Sequence, residues 1–176
     1  MVMKQIKVTP HEHKVVTRPP AGRTCFGCRE GASEALGVRC YRMDDGSVVS
    51  LIQTKRTHQS FQGILHGGIV CAYMDEVLSY QTWSDQDYDA IAMTKDMTIR
   101  YYAPVTCDTE IRIVADPPDI QGRYYTVTGR IILPDDTVAA EAEIHYVKLH
   151  MDDKRNLAEE HETRDGYAPE RETVWY

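Results

Sequence analysis

One stretch of the chain gathers residue types that could do chemistry: Gly63-Ile64-Leu65-His66-Gly67-Gly68, running on through Tyr73 and Met74 to Asp75-Glu76. A His-Gly-Gly turn opens an apolar run that reads as a helix over residues 67–82. Two acids fall inside that run. Ionised carboxylates are rarely buried without a partner or a pKa shift, because their desolvation is costly. A helix N-terminus carrying two glycines presents free backbone N–H groups and the positive end of the dipole. Amides so placed can hold an oxyanion, and a carboxylate farther along can activate water. The pattern points to hydrolysis.

Spacing limits how the parts combine. Asp75 follows Gly67 by just over two helical turns, so it lies along the same helix but not beside the amides of its own chain. Glu76 points about 100° away from Asp75 and reads as structural, held by an Arg or a backbone group. His66 reads as support for the turn and the carbonyl region; a satisfied core histidine is the plainer alternative.

Other clusters carry less. Cys25-Phe26-Gly27-Cys28 is half of a zinc-type ligand set, but no second pair follows, and Cys40, Cys71 and Cys107 have no ligand spacing. Two packed thiols in a tight turn is the reading, with no metal and no cofactor expected. His11-Glu12-His13 reads as a solvated stretch.

Bulk properties bound the function. At 176 residues the chain can bury the core of one domain, and a net charge of −7 argues against nucleic-acid partners, whose phosphates need a basic face. No apolar run is long enough to span a bilayer, so no membrane association is expected. The first residues lack the apolar stretch of a signal peptide, and five scattered cysteines suit a reducing, cytoplasmic setting.

The elements that must position the site alternate regularly. Residues 38–43 and 48–54 flank Asp44-Asp45-Gly46, a hairpin signal. The helix follows, apolar almost all round, hence a central buried helix. A polar loop at 84–89 leads to period-two strands over 93–101, 109–115, 124–133 and 138–146, punctuated by Pro104, Pro117-Pro118 and Pro134. Short connections imply antiparallel pairing, so the class is α+β. Residues 1–24 read as an extended arm, 25–149 as the folded domain, and 150–176 as a charged tail with a solvated helix over 152–164.

The helix motif, with Gly63 three residues before the His, resembles the hotdog-fold acyl-CoA thioesterases of the phenylacetate-pathway and 4-hydroxybenzoyl-CoA type. Thr94-Lys95-Asp96-Met97-Thr98-Ile99-Arg100-Tyr101-Tyr102-Ala103-Pro104-Val105 is similar to the strand that follows the helix in these enzymes, and Cys25–Cys28 with Leu36-Gly37-Val38 resembles the lead-in of one subgroup. The resemblance implies a hotdog fold, an antiparallel sheet wrapped around one long central helix. It implies a homodimer, or a dimer of dimers, in which the His-Gly-Gly turn of one chain faces Asp75 of the other. Acyl-CoA is the implied substrate. Gly67 or Gly68 would bind the thioester oxygen, and Asp75 would be general base or nucleophile. Thr94 stands where members place a hydroxyl that orients the water or the carboxylate; an inward hydroxyl bonded to backbone is the alternative.

Two departures matter. The subgroup's Asn-Pro is absent from Gly31-Ala32-Ser33-Glu34-Ala35-Leu36, and Ser60 replaces an Asn found six residues before the His. A Ser positions water less firmly, which keeps a non-catalytic acyl-CoA-binding module as the alternative function. Arg56, Arg100 and Arg123 are candidates for the CoA phosphates, Arg123 the most accessible. Tyr73, Tyr80, Tyr101 and Tyr102 are candidates for an acyl pocket, or else fill core and interface.

Overall fold

The computed structural model of the protein describes residues 5–22, 24–83, 90–150 and 169–176. The expected polar loop at 84–89 and the expected helix at 152–164 lie outside the described residues. Among the described residues nine strands form one sheet: β1 (Glu12–Thr17), β2 (Cys40–Met43), β3 (Val48–Gln53), β4 (Ala90–Tyr101), β5 (Glu110–Ala115), β6 (Asp119–Gln121), β7 (Tyr124–Ile132), β8 (Val138–His150) and β9 (Thr173–Trp175). Their order is β4-β8-β7-β5-β3-β2-β1-β9, with β6 paired to β7 alone, and every pairing is antiparallel.

Among the described residues one α-helix, α1 (Gly67–Ser79), runs into a 3-10 turn at Tyr80–Thr82. The sheet wraps around it, which is the α+β hotdog arrangement read from the sequence. Val70, Tyr73, Met74, Val77 and Leu78 of α1 are buried. Their three- and four-residue spacing lays one apolar stripe on the sheet. Ile69, Cys71, Ala72, Asp75 and Glu76 are half-buried, so the helix is fully covered along that stripe rather than all round.

The stripe packs on inward side chains of the strands, including Ile52, Ile111, Ile113, Val127, Ile131 and Ile144. At Gly129 on β7 helix and sheet approach closely. A Cβ there would stand 2.6 Å from Leu78 Cδ1 and 2.6 Å from the Val114 carbonyl oxygen.

A smaller second cluster lies on the outer face: Tyr41, Met43, Val49, Val114, Ile132, Val174 and Tyr176. It joins the two ends of the chain to the sheet. His13 on β1 stacks on Tyr176 with ring centroids 4.3 Å apart, and the Tyr176 hydroxyl lies 2.6 Å from Ser47 Oγ. The extended arm thus contributes a strand, and so does the end of the charged tail. At the opposite side of the sheet β4 is an edge strand, twelve residues long.

Candidate active site

His66 caps α1. Its Nδ1 accepts from the Gly68 N–H at 2.9 Å, and its carbonyl accepts from Ile69 and Val70. An accepting Nδ1 carries no proton, so the neutral ring holds its hydrogen on Nε2. The arrangement closes one of the open amides of the helix start and leaves another. Among the described residues the Gly67 N–H has no hydrogen bond, so Gly67 is the free donor at the positive end of the dipole. Both glycines are exposed. Tyr101 at the end of β4 donates its hydroxyl to the Gly67 carbonyl at 2.9 Å, pinning the helix mouth to the edge strand.

Asp75 lies two turns on, half-buried at the rim of α1. Thr94 on β4 donates its hydroxyl to Asp75 Oδ1 at 2.8 Å, and among the described residues the second carboxylate oxygen accepts no hydrogen bond. The bulge in β4 between Thr94 and Asp96 lies beside this contact, where the register against β8 slips by one residue. Eight residues of helical rise separate Gly67 from Asp75 by about 12 Å. Within one chain the free amide and the open carboxylate oxygen are therefore too far apart to flank one carbonyl carbon.

The remaining candidates fall in different places. Ser60 is exposed in the loop ahead of α1, where its N–H donates to Ile64 O at 2.9 Å; His66 N–H donates to His58 O at 2.9 Å in the same loop. Gly63, at φ +75, makes the turn between them. Ser60 thus shares the loop that delivers His66 and Gly67. Tyr73 on α1 is fully buried, and its hydroxyl has no partner among the described residues. Tyr80 and Tyr101 donate to the backbone, and Tyr102 donates to Glu141.

Arg123 is exposed at the β6–β7 turn, its guanidinium over the Tyr124 ring at 5.3 Å. The register Tyr124–Val147–Met93 places it two strands from the Thr94 row, within roughly 10 Å of β4. Arg56 pairs with Asp108. Arg100 lines a groove of about 390 Å³ on the outer sheet face with Thr98, Thr128, Arg130, Glu141 and Glu143. Strand alternation puts that groove on the side away from α1.

Three side chains show a relation that sequence reasoning missed. Glu76 turns away from Asp75, as its helical offset requires, and reaches the Cys25–Cys28 loop rather than an Arg. Its carboxylate oxygens stand 3.6 and 3.7 Å from Cys25 Sγ. Burial, with the negative charge of the neighbouring Cys25 sulfur, pushes Glu76 up to about 7. No local signal joins positions so far apart in the chain.

Residues 62–140 match the family model described as the Thioesterase superfamily. That span holds the His-Gly-Gly turn, α1 and strands β4 to β7. Among solved structures of similar fold is a thioesterase superfamily protein, 25% identical over 65% of this chain and 55% of its own, at a TM-score of 0.58. A thioesterase from Haemophilus influenzae is 13% identical over 73% of this chain and 89% of its own, at 0.63. The PaaI protein from the phenylacetic acid degradation operon of E. coli is 18% identical over 66% of this chain and 83% of its own, at 0.57. The chain spans only about half the length of the first of these. No curated protein matches it in sequence. The likeness to hotdog-fold thioesterases, including the phenylacetate-related ones, is thereby borne out. No helix among the described residues is long and apolar enough to cross a membrane.

Proposed function

We propose that this chain, carrying a Thioesterase superfamily segment on a hotdog fold, hydrolyses an acyl-CoA thioester to the free acid and CoA. The observation that carries the reading is the pair of half-sites on α1: a free Gly67 amide at its mouth, and Asp75 held by Thr94 with one oxygen open.

Each half-site lacks what the other supplies, and a second copy of the chain brings them together. The β4 edge supports such a pairing. Twelve residues of open strand, with Met93 and Tyr101 exposed, invite another strand unless something covers them. Two copies paired along β4 form a homodimer with two sites, each using the Gly67 mouth of one copy and Asp75 of the other; a dimer of dimers adds no further group.

In this site the thioester oxygen accepts from the Gly67 N–H. Asp75 takes a proton from water as the water oxygen attacks the carbonyl carbon, and the amide holds the resulting oxyanion. Collapse breaks the C–S bond, and the leaving thiolate takes the proton from Asp75. Direct attack by Asp75 through an anhydride uses the same two groups. Thr94 orients the carboxylate. His66 keeps the turn open at Gly67 by occupying Gly68. Arg123, and Ser60 in the His66 loop, face the CoA and acyl portions, and Tyr73 backs the acyl pocket from below. The substrate is acyl-CoA, no cofactor enters, and the five free cysteines fit a cytoplasmic setting.

The test is a panel of aliphatic and aryl acyl-CoAs, followed by free-thiol release and, in parallel, by binding. Release with at least one ester supports the reading. Tight ester binding with no release across the panel sinks hydrolysis in favour of a binding module, the outcome that Ser60 keeps open.

A further inference from the structure

We propose that Cys25, Cys28 and Glu76 form a binding site for a thiophilic divalent cation of the zinc class, separate from the thioester site and independent of that reading. One ligand atom from each lies within 4.8 Å of the other two. In a tetrahedral zinc site, with Zn–S near 2.3 Å and Zn–O near 2.0 Å, a sulfur and an oxygen ligand stand about 3.5 Å apart. Cys25 Sγ and the Glu76 oxygens stand at 3.6 and 3.7 Å.

The loop is built as a holder of sulfur ligands. Gly27 N–H points at Cys25 Sγ at 3.2 Å and Cys28 N–H at 3.5 Å, while Gly22 N–H points at Cys28 Sγ at 3.2 Å. The two backbone donors aimed at Cys25 favour its thiolate, the form that binds metal. The loop is fixed from behind, since Leu36 and Val38 donate to the carbonyls of Phe26 and Gly27 at 2.8 and 2.9 Å.

Glycine at the tip lets the Glu76 carboxylate come up against the loop. A Cβ on Gly27 would stand 2.1 Å from Glu76 Oε2, where the carboxylate now sits. The carboxylate is half-buried, and among the described residues no Lys or Arg pairs with it. A divalent ion would supply the missing charge and tie the Cys25–Cys28 loop to α1 one residue from Asp75. The three donors leave a fourth tetrahedral position for water. The missing second Cys pair is thus replaced by a carboxylate from the helix. The other clustered set, His13 with Asp44 and Asp45, is more exposed and has Asp45 already engaged by Ser47 and Tyr176, so it serves as the control.

The experiment uses the full chain, reduced and stripped with a chelator, then titrated with Co(II) and Zn(II). The expected result is thiolate-to-cobalt charge transfer with tetrahedral d–d bands, one zinc retained per chain after gel filtration, and two of the five cysteines shielded from thiol reagents by zinc. Cys28→Ser removes the charge-transfer band. Glu76→Gln weakens binding by more than about tenfold, and Asp44→Asn leaves it unchanged. Circular dichroism of each metal-free variant establishes that it is folded. A tetrahedral cobalt spectrum absent from the reduced wild type overturns the site. So does uptake that survives both Cys28→Ser and Glu76→Gln, or uptake that follows Asp44.

Discussion

Replacing Gly129 by Ala tests how tightly the fold fixes the helix that carries the site. The added Cβ would lie 2.6 Å from Leu78 Cδ1, 3.1 Å from Leu78 Cγ and 2.6 Å from the Val114 carbonyl oxygen. Carbon contacts relax near 3.5–4.0 Å, so the overlap is about 1 Å on two sides. Neither side can yield cheaply. Leu78 is fully buried, and Val114 lies in the β5–β7 ladder that also holds Gly129. Overpacking of this kind costs typically 1–3 kcal/mol, and a backbone neighbour places this case at the upper end. Restricting the unfolded chain by Gly→Ala returns up to about 1 kcal/mol, for a net loss of about 2 kcal/mol. For a chain of this size that lowers the melting temperature by roughly 4–8 °C.

Chemical and thermal unfolding read the loss, and thioester turnover reads its consequence, because lifting the C-terminal half of α1 widens the Thr94–Asp75 contact. Adding Leu78→Ala relieves one of the two overlaps, so the double variant loses less than the sum of the single losses. A Gly129→Ala protein that melts with the wild type would refute the packing argument.

The other expectations follow from single contacts. Thr94→Val removes the hydroxyl held on Asp75; it lowers kcat/KM about five- to tenfold, the equivalent of about 1–1.4 kcal/mol for a partly exposed bond to a charge, and Thr94→Ser restores most of it. Equal rates for the Val and Thr forms would remove Thr94 from the site. Tyr73→Phe deletes a buried hydroxyl without a described partner, so unfolding free energy stays level or rises by about 1 kcal/mol; a clear fall would show that the hydroxyl is satisfied in the assembled protein. Asp45 supplies a pH dependence. Burial raises its carboxyl, but hydrogen bonds from Ser47 and from the Tyr176 hydroxyl outweigh that and hold it below the ordinary Asp range. A depressed carboxyl contributes stability above its unfolded value of about 3.9, and that contribution is lost as pH falls through the folded value. Urea midpoints of wild type therefore drop more steeply below about pH 4 than those of Asp45→Asn, and parallel curves would contradict the sign.

The parts of this molecule written in local periodicity were open to reading. Alternation marked the strands at 93–101 and 138–146, and the His-Gly-Gly start with its apolar run marked α1. His66, Gly67 and Asp75 belong to that one element, so their motif survives as a spacing in the chain. Relations between distant residues left no such trace. The Thr94 hydroxyl finds Asp75 only because β4 passes the rim of the helix. Glu76 meets the Cys25–Cys28 loop across 51 positions, and its sequence offset gave only the direction it points. The ends were hard for another reason: β1 and β9 are short, and Glu12–Trp175 and His13–Val174 pair residues whose stretches are polar and rich in charge. β6 is only three residues long and all exposed, and it carries no apolar alternation to find.

The central claim is that Asp75, facing the free Gly67 amide of a second copy, drives cleavage of a sulfur ester. Thiol release from the best acyl-CoA, measured for wild type and for Asp75→Asn after both are shown to be the same folded dimer, tests it most directly. The account predicts that the Asn form, which keeps the shape but cannot accept the proton, turns over on the order of 10²–10⁴-fold more slowly while still binding the ester. An Asn form as fast as wild type, or a wild type that is fully active as a monomer, would contradict it.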